Sequence, residues 1–241
     1  MRGVSDQELR DAIAIRDNFI RVAPLRFTPQ SEQHCTRSWR YSYLKRSFDI
    51  AAALFLVLLF LVPGLLIALI IKTTSSGPLF YRERRVGRDG VFFRIFKFRT
   101  MVANASEFGT SVNEGHAGAH THFRMHKQKG DPRVTAVGRS LRAWSLDELP
   151  QLFNVIRGDM SLVGPRPVIA EELEQFGDLA EEYQKVKPGI TGVWQVSGRS
   201  RIGYRERALL DALYATTWSM KYDMMILLRT LPAVLSRDGA H

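Results

Sequence analysis

An uninterrupted apolar segment at residues 50–71 is the feature that most constrains the fold of this chain. The segment, IAAALFLVLLFLVPGLLIALII, contains no charged or polar side chain over 22 residues. A membrane helix needs about 20 such residues, whereas a helix in the core of a soluble protein usually keeps a polar stripe. The position of the segment and the absence of a small-residue cleavage site after it argue against a secretory signal peptide. We therefore predict that the segment inserts into a membrane.

Pro63 and Gly64 interrupt this segment near its middle. Proline removes one backbone hydrogen bond from a helix and clashes with the preceding turn. The arm at residues 50–62 reaches only about 20 Å, against a hydrocarbon thickness of about 30 Å. A re-entrant helix that breaks at Pro63 fits these lengths, and so does a kinked helix that spans the membrane.

Basic residues flank the apolar segment on both sides. They are Lys45 and Arg46 before it and Lys72, Arg82, Arg84 and Arg85 after it. Because positive charge is enriched on the cytoplasmic side of membrane segments, a single span would place one flank on the wrong side. A helix that enters, breaks and returns keeps both flanks in the cytoplasm, and we therefore favour the re-entrant interpretation.

The composition of the 241-residue chain excludes several classes of protein. Charged residues make up 24% and hydrophobic residues 45%, values that do not fit a disordered tail, a collagen-like repeat or a polytopic transporter. The single cysteine, Cys35, excludes an intramolecular disulfide and indicates a reducing compartment. With 34 Lys and Arg against 24 Asp and Glu, the net charge of +10 indicates an anionic partner, which is nucleic acid, anionic lipid or a phosphorylated small molecule.

Hydrophobic periodicity and turn residues predict the remaining elements. In chain order they are an amphipathic helix around residues 6–22, a hairpin of strands at 79–81 and 91–98, a helix over 139–155 broken at Pro150, an acidic amphipathic helix at 170–185 and a long helix over 202–235. A frayed N-terminal extension is an equally good interpretation of the first element. The last helix is rich in aromatic residues and methionine, which suits either a membrane interface or a packed core.

Four histidines lie in a segment with the composition of a loop, residues 103–130. They are His116, His120, His122 and His126. The spacing lacks a carboxylate or cysteine partner typical of a metal site. A solvated loop is therefore favoured over a zinc site.

The candidate chemistry centres on two adjacent carboxylates, Asp147 and Glu148, in the stretch SLDELP. Cations lie on both sides of the pair, with Arg139 and Arg142 before it and Arg157 and Arg166 after it. Carboxylates beside cations stay ionised at neutral pH, and so can bind Mg²⁺ or attack a phosphorus atom. Pro150, which follows the pair, and the prolines of the GPRP stretch add rigid backbone, which catalysis requires for positioning.

Further basic residues lie where they can bind a phosphate. Lys97 and Arg99 alternate with phenylalanines, so on a strand they project from one face, and we count both as candidate substrate-binding residues. A glycine-rich turn at residues 189–192 offers backbone amides, and Arg199 in the next turn adds a guanidinium. Attraction to lipid headgroups is the alternative role of the basic run at residues 82–99.

Seven short motifs follow one another in an order typical of one protein family. They are KRSFD at residues 45–49, GPLFY at 77–81, KFRTM at 97–101, DPR at 131–133, SLDELPQL at 145–152, VGPRP at 163–167 and PGITGVWQVSGR at 188–199. Together they resemble bacterial sugar transferases of the monotopic phosphoglycosyl transferase superfamily. The stretches GPRPVIAEELEQF and GVWQVSGRS are similar to the branch that transfers hexose 1-phosphate in exopolysaccharide or O-antigen synthesis.

The resemblance implies transfer of a hexose 1-phosphate, with glucose or galactose as the hexose, from a UDP-sugar to undecaprenyl phosphate with release of UMP. Asp147 would be the nucleophile, forming a phosphosugar–enzyme intermediate, and would also contact Mg²⁺. Glu148 would assist through charge or proton handling. Four cations match family positions for binding phosphate or nucleotide: Lys97, Arg142, Arg166 and Arg199.

The resemblance also favours the re-entrant interpretation, because the family's membrane helix breaks at a proline that matches Pro63. We therefore predict an α/β membrane-associated protein that is mostly helical, with a small β-hairpin, one re-entrant membrane helix and amphipathic interfacial helices. Residues 1–42 would form an N-terminal extension and residues 43–72 the re-entrant helix. Residues 73–241 would form a catalytic domain that faces the cytoplasm from the bacterial inner membrane.

The expected partners are a UDP-sugar, undecaprenyl phosphate and inner-membrane lipid, with a homodimer as a further expectation. A membrane-anchored nucleic-acid-binding protein would carry stacking platforms or a recognised reading motif. We find neither in the sequence, so no nucleic acid is expected. A non-catalytic scaffold for polysaccharide assembly is the remaining alternative, although a scaffold would not need the pair Asp147 and Glu148.

Overall fold

A computed structural model describes residues 5–19, 39–103, 105, 131–198 and 202–236. Within these residues the chain is mostly helical and carries a small antiparallel hairpin, which confirms that part of the predicted fold class. In chain order the helices are α1 (Asp6–Phe19), α2 (Trp39–Leu59), α3 (Leu61–Thr74), α4 (Ala136–Ala143), α5 (Gln151–Arg157), α6 (Ala170–Glu174), α7 (Leu179–Gln184), α8 (Val193–Val196), α9 (Tyr204–Thr217) and α10 (Met220–Leu235). The strands are β1 (Phe80–Val86), β2 (Phe92–Phe98), β3 (Ser161–Val163) and β4 (Gly189–Thr191).

The predicted N-terminal helix is present as α1 and packs against α9. Ala12 of α1 is buried in a cluster that includes Leu209 and Leu213 of α9. Glu8 and Arg205 add an ion pair of 3.7 Å between the two helices. These contacts favour the amphipathic helix over a frayed extension, while the predicted end of the helix lies outside the described residues.

The apolar segment forms two helices, α2 and α3, that meet at an angle of 61°. The break falls at Phe60 and not at Pro63, which lies in the first turn of α3. Proline has no N–H to bond the carbonyl of Leu59, and its ring crowds that carbonyl, so the helix is interrupted one turn upstream. A proline is tolerated in the first turn of a helix because the N–H groups there have no partner within the helix.

Both arms of the apolar segment expose large side chains. No single helix among the described residues is long and apolar enough to cross a membrane, whereas α2 and α3 together pass that test of length and composition. The exposed apolar residues on the two arms are Leu54, Phe55, Leu58, Leu59, Leu61, Val62, Leu65, Leu66, Leu69 and Ile70. An exposed apolar surface of this extent marks a site that binds a membrane or another protein.

A buried polar network fixes the start of α2 to α10. Lys45 Nζ lies 2.6 Å from Asp223 Oδ2 and 3.1 Å from Asp49 Oδ1. The Tyr214 hydroxyl donates to Asp223 Oδ1 at 2.8 Å, and the Trp218 indole N–H donates to Asp223 Oδ2 at 3.1 Å. Because Asp223 is fully buried, these donors compensate for its lost hydration. We call these five residues the Asp223 network.

Arg46 and Asp49 fasten α2 to the elements around α5. The Arg46 guanidinium donates to the carbonyls of Val155 at 2.5 Å and Ile156 at 2.7 Å, in the last turn of α5. Cations are favoured at this end of a helix because its carbonyls lack partners there. Asp49 Oδ1 accepts the amide of Leu162 at 3.3 Å. The basic flank before the apolar segment therefore has partners within the protein itself.

β1 and β2 form the predicted hairpin, with Phe80 paired to Phe98 and Val86 paired to Phe92. β1 is longer than the strand predicted at residues 79–81. The prediction stopped early because the charged residues that follow show no alternation of apolar and polar side chains. β3 and β4 form a parallel pair that was not predicted, since each strand has only three residues.

Two predicted helices are each divided in the structure. The helix predicted at residues 139–155 is interrupted at Ser145, which has a left-handed φ of 56°, and not at Pro150, which directly precedes α5. The acidic helix predicted at residues 170–185 is interrupted near Gly177, with a φ of 55°. A single left-handed residue ends a helix without changing the apolar period on either side of it, so the periodicity does not show the interruption.

The helix predicted at residues 202–235 divides at Trp218 into α9 and α10, which have different surroundings. Residues 208–214 of α9 are all buried, so the packed-core interpretation holds for this helix. The second half of α10 instead exposes three leucines, Leu228, Leu231 and Leu235. The two alternatives drawn from the sequence thus apply to different halves of the same segment.

Replacing Asp223 by alanine should lower the melting temperature of the purified protein by about 10 °C, because breaking a buried ion pair costs about 3–5 kcal/mol. The substitution removes the acceptor of Lys45, Tyr214 and Trp218. Circular dichroism during heating in one detergent measures the shift. Lys221→Ala, at an exposed position of α10, is the control and should melt like the wild type. Equal melting temperatures for Asp223→Ala and the wild type would contradict the stabilising role of the network.

Candidate active site

Asp147 and Glu148 lie on a single 3₁₀ turn, Leu146–Glu148, between α4 and α5, which we call the dyad turn. Ser145 directly before it has left-handed backbone angles, which cost a non-glycine residue free energy and often occur at functional sites. Pro150 follows and directly precedes α5. The two carboxylates are therefore presented by a short, constrained turn and not by the helix predicted from the sequence.

The dyad turn packs against the end of α3. Leu146 and Leu149 contact a buried cluster that includes Ile67 and Ile71 of α3. The apolar helix pair thus supports the backbone that carries the carboxylates. The dyad therefore lies next to the apolar surface described above.

Glu148 is paired with two of the predicted cations. Lys97 Nζ lies 2.8 Å from Glu148 Oε1, and Arg166 Nη1 lies 3.7 Å from the same oxygen. All three side chains are partly buried, so solvent screens these attractions less than at an open surface. The structure therefore brings together residues that lie more than fifty positions apart in the sequence.

Asp147 makes no ion pair with any described residue. Burial raises the pKa of its carboxyl above the usual range, and the neighbouring charge of Glu148 raises it further. Lys97 and Arg142 lower this pKa, but burial outweighs them. A higher pKa makes the ionised carboxylate more basic and hence a better nucleophile than an ordinary aspartate.

Arg142 is positioned by a close contact between α4 and Thr100, two residues after the hairpin. Its Nε donates to Thr100 Oγ1 at 2.9 Å. The helix can approach Thr100 because Gly138 has no side chain, and a Cβ there would clash with the Thr100 carbonyl. The terminal nitrogens of Arg142 make no hydrogen bond to a described residue, which leaves them available to an anion.

The loop of residues 164–167 presents Arg166 on a rigid backbone. The carbonyl oxygen of Pro165 accepts a hydrogen bond from the amide of Gly189 at 2.7 Å. The glycine of the loop lies so close to the neighbouring chain that a Cβ would clash with the Lys187 carbonyl. The Tyr183 hydroxyl donates to the Arg166 carbonyl at 3.1 Å. These contacts set the position of the Arg166 side chain before any ligand binds.

Trp194 and Asp211 lie near Arg166, and neither was identified from the sequence. The guanidiniums of Arg166 and Arg207 lie 5.8 Å and 4.7 Å from the centre of the Trp194 ring, within the range of cation–π attraction. The Asp211 carboxyl is buried near Arg166, whose charge lowers the pKa of that carboxyl. A lone aspartate inside the apolar stretch ALLDALY was the signal that could have identified it.

Asn154 supports Lys97 in a similar way and was also missed. Its side-chain oxygen accepts the amide of Phe96 at 3.0 Å, and its side-chain nitrogen donates to the carbonyl of Arg94 at 2.8 Å. Asn154 is completely buried on α5. It therefore fixes β2, which carries Lys97, to the helix that follows the dyad turn.

The remaining predicted site residues have other positions. Arg99 is buried at the end of α3, where it donates to the carbonyl of Ser75 at 2.7 Å and to its hydroxyl at 2.8 Å, so the structure gives it a partner within the fold. Its contact with substrate stays a prediction. Arg199 and the histidine loop at residues 116–126 lie outside the described residues.

The donor set of the dyad is compatible with Mg²⁺. No group of three or more His, Cys, Asp or Glu that could hold a metal occurs among the described residues. Mg²⁺ commonly binds through one or two carboxylates together with substrate phosphates and water. Because Glu148 is engaged by Lys97 and Arg166, Asp147 is the carboxylate of the pair that fits such a site.

The fold and the site together define a class of protein in which a carboxylate pair and converging cations lie beside a broken apolar helix. A family model described as bacterial sugar transferase matches residues 40–237 of the chain. The chain belongs to this bacterial sugar transferase family.

Several characterised relatives share this similarity. The chain is 46% identical over 201 residues to the undecaprenyl-phosphate galactose phosphotransferase of Salmonella typhimurium, covering 83% of this chain and 42% of that protein. It is 44% identical over 198 residues to the exopolysaccharide production protein ExoY of Rhizobium meliloti, covering 82% and 88%. It is 43% identical over 206 residues to the UDP-glucose:undecaprenyl-phosphate glucose-1-phosphate transferase of Caulobacter vibrioides, covering 82% and 72%. The chain spans less than half of the Salmonella relative.

The stability of the protein should depend on pH through Asp211. Burial raises its pKa well above the ordinary value, although the charges of Arg166 and Arg207 oppose this. An acid with a raised folded-state pKa contributes stability that is complete below its unfolded pKa of about 3.9 and is lost as pH rises through the folded pKa, by at most about 1.4 kcal/mol per pH unit. Asparagine has nearly the same shape as aspartate and cannot ionise.

The melting temperature of Asp211→Asn should therefore rise relative to that of the wild type as the pH increases from about 5 to about 8. Differential scanning fluorimetry at a series of pH values measures the difference. Asp178→Asn, at an exposed position, is the matched control and should follow the wild type at every pH. A difference between Asp211→Asn and the wild type that does not change with pH would contradict the assignment.

Proposed function

We propose that the chain transfers hexose 1-phosphate, from UDP-glucose or UDP-galactose, to undecaprenyl phosphate with release of UMP. The observation that carries this proposal is the dyad turn, which places Asp147 and Glu148 among Lys97, Arg142 and Arg166 and packs against α3. Cations near the dyad suit an anionic donor, while the apolar helix pair suits a lipid acceptor. The printed functions of the relatives support the same donor and acceptor classes.

The transfer would start the synthesis of a polysaccharide repeat. The Rhizobium relative is named for exopolysaccharide production. The Salmonella relative is named for the transfer of galactose phosphate to the same lipid carrier. We therefore place the reaction at the first membrane-bound step of exopolysaccharide or O-antigen assembly.

Asp147 would act as the nucleophile in two successive displacements. Its carboxylate attacks the phosphorus that bears the hexose, the bond from that phosphorus to the bridging oxygen breaks, and UMP leaves with the bonding electrons. A phosphate oxygen of undecaprenyl phosphate then attacks the same phosphorus and releases the Asp147 carboxylate. A covalent intermediate allows the dissolved donor and the lipid acceptor to occupy the site in turn.

The cations would stabilise the charge that develops on the transferred phosphoryl group. Lys97 and Arg166 are held by Glu148, Asn154 and the rigid 164–167 loop, so little reorganisation is needed during the reaction. Glu148 orients these two cations and keeps them beside the nucleophile. Arg142 offers its terminal nitrogens to a phosphate oxygen.

Mg²⁺ is the cofactor that the family resemblance implies, and Asp147 is the residue that would hold it together with the donor diphosphate. When bound, it would neutralise phosphate charge and so ease the approach of a carboxylate to a polyanion. Glu148 would not take part in binding Mg²⁺, because Lys97 and Arg166 already pair with it.

We further propose that α2 and α3 enter the inner membrane as a re-entrant pair, with the catalytic domain on the cytoplasmic side. The bend at Phe60 and the exposed apolar surface of both arms support this arrangement. The partners of Lys45 and Arg46 lie in the catalytic domain, and α3 returns to the dyad turn. Both ends of the pair therefore contact the same body of the protein, which a straight span would not allow.

The proposed reaction predicts UMP release from a panel of UDP-sugars in the presence of Mg²⁺ and undecaprenyl phosphate. Asp147→Asn should lower this rate by at least about a thousandfold, because loss of a nucleophile removes the covalent route. Donor labelled in the sugar should label the wild-type protein when the lipid acceptor is omitted, and should not label Asp147→Asn. Coupled detection of UMP and mass spectrometry of the protein are the two readouts.

Asp178→Asn serves as the matched control and should keep the wild-type rate, because Asp178 is exposed. Chelation of Mg²⁺ should abolish UMP release from the wild type. Absence of UMP with every donor would favour a non-catalytic scaffold, and full activity of Asp147→Asn would remove the nucleophile assignment.

The re-entrant arrangement predicts that both ends of the helix pair lie on one side of the membrane. In a Cys35→Ser background, Leu44→Cys and Ser76→Cys place one thiol at each exposed end. An impermeant thiol reagent should label neither position in intact spheroplasts and both positions after permeabilisation, which also serves as the positive control. Labelling of one position from outside would identify a spanning helix instead.

A further inference from the structure

A small cavity opens beside the dyad turn. Its volume is about 240 Å³ when the open mouth is included, and its enclosed part has room for a group about the size of a water molecule. The polar residues in its wall are Arg85, Lys97, Glu148, Gln151 and Arg166. A cavity of this size cannot enclose a sugar ring or a phosphate group, but it can accept a single hydroxyl group.

Gln151 is the polar group in this wall that has no assigned role. It is only 2% exposed, and its side-chain amide makes no hydrogen bond to any described residue. A polar group in the wall of a narrow cavity is normally hydrogen-bonded to water or to a ligand group there. A ligand group that enters the cavity would satisfy it.

Arg85 presents a second donor without a partner in the same wall. Its terminal nitrogens pair with Glu83 and with Glu172, while its Nε is buried without a hydrogen bond. A hydroxyl group both donates and accepts hydrogen bonds. It can therefore accept from the Arg85 Nε or the Gln151 amide nitrogen and donate to the Gln151 amide oxygen.

Each cation in the cavity wall has a carboxylate partner within the protein. Arg85 is balanced by Glu83 and Glu172, and Lys97 and Arg166 share Glu148. An anionic phosphate oxygen only accepts hydrogen bonds, so in the cavity it would leave the amide oxygen of Gln151 without a donor. A neutral hydroxyl group fits this wall better than an anionic oxygen.

From these observations we infer that the cavity binds one hydroxyl group of the donor hexose and that Gln151 is a specificity-determining residue for the sugar. The inference rests on the proposed function. It adds that the site recognises the donor through one hydroxyl group of its hexose. The hexose is bonded to the phosphorus that Asp147 attacks, so its hydroxyl groups lie within reach of a cavity lined by Glu148. The uridine leaves on the side of the phosphorus opposite to the nucleophile, away from this wall.

Donors that each lack one hydroxyl group test the inference. We expect the wild type to lose about tenfold in kcat/KM on one monodeoxy analogue of UDP-glucose or UDP-galactose, because one set of hydrogen bonds is lost. Gln151→Met should show a similar loss on the complete donor and no further loss on that analogue. Its affinity for UMP, which carries no sugar, should equal that of the wild type.

Gln151→Asn is a second variant that keeps the amide but shortens its reach, and it should lose the same discrimination if the methionine variant does not fold. Gln175→Met, at an exposed position, is the matched control and should discriminate like the wild type. Unchanged discrimination in both Gln151 variants would overturn the inference. An equal loss on all donors together with weaker UMP binding would also overturn it, because a phosphate contact or a structural role produces that pattern.

The same experiment separates this inference from the function on which it rests. Release of UMP by the wild type with normal discrimination in the Gln151 variants removes only the hydroxyl site. No UMP from the wild type with any donor removes the proposed function, and the hydroxyl site with it.

Discussion

The packing of the dyad turn against the end of α3 is the contact on which the rest of the site depends. Ile67 and Ile71 bury one face of an otherwise exposed apolar helix against Leu146 and Leu149, and burial of each such side chain stabilises the fold by about 1.5–3 kcal/mol. Arg46 holds the other arm of the pair through the last turn of α5. The dyad turn thus contacts α3, and the helix that follows it, α5, contacts α2. Both arms of the apolar pair therefore hold this part of the chain in place.

The two cations that reach Glu148 come from separate parts of the fold, and each has its own buried polar support. Lys97 depends on β2, which Asn154 fastens to α5. Arg166 depends on a rigid loop whose carbonyls accept hydrogen bonds from the Tyr183 hydroxyl and the Gly189 amide. Charges that are fixed in advance stabilise a developing charge without the cost of reorienting water or flexible side chains. The buried polar groups outside the dyad thus contribute to the electrostatics within it.

The sequence was sufficient to predict features whose signal lies in one short stretch of residues. The apolar segment, the hairpin and the presence of Arg142 and Arg166 around the acidic pair were predicted. It was insufficient where a single backbone conformation decided the outcome, as at Ser145, whose left-handed angles convert a predicted helix into the dyad turn. It also missed Asn154, because a buried amide that bonds a distant strand has no sequence period, and it could not foresee that Arg99 binds the end of α3.

The bond pattern of Asn154 has a consequence for self-association. The carbonyl of Arg94 and the amide of Phe96 point away from β1, where an incoming strand would pair, and the asparagine amide occupies both. At the other edge of the hairpin, the Val86 amide donates to the Val168 carbonyl at 2.9 Å. Open strand edges recruit strands from neighbouring chains. With these backbone groups already paired, a second copy of the protein cannot extend the sheet at those positions.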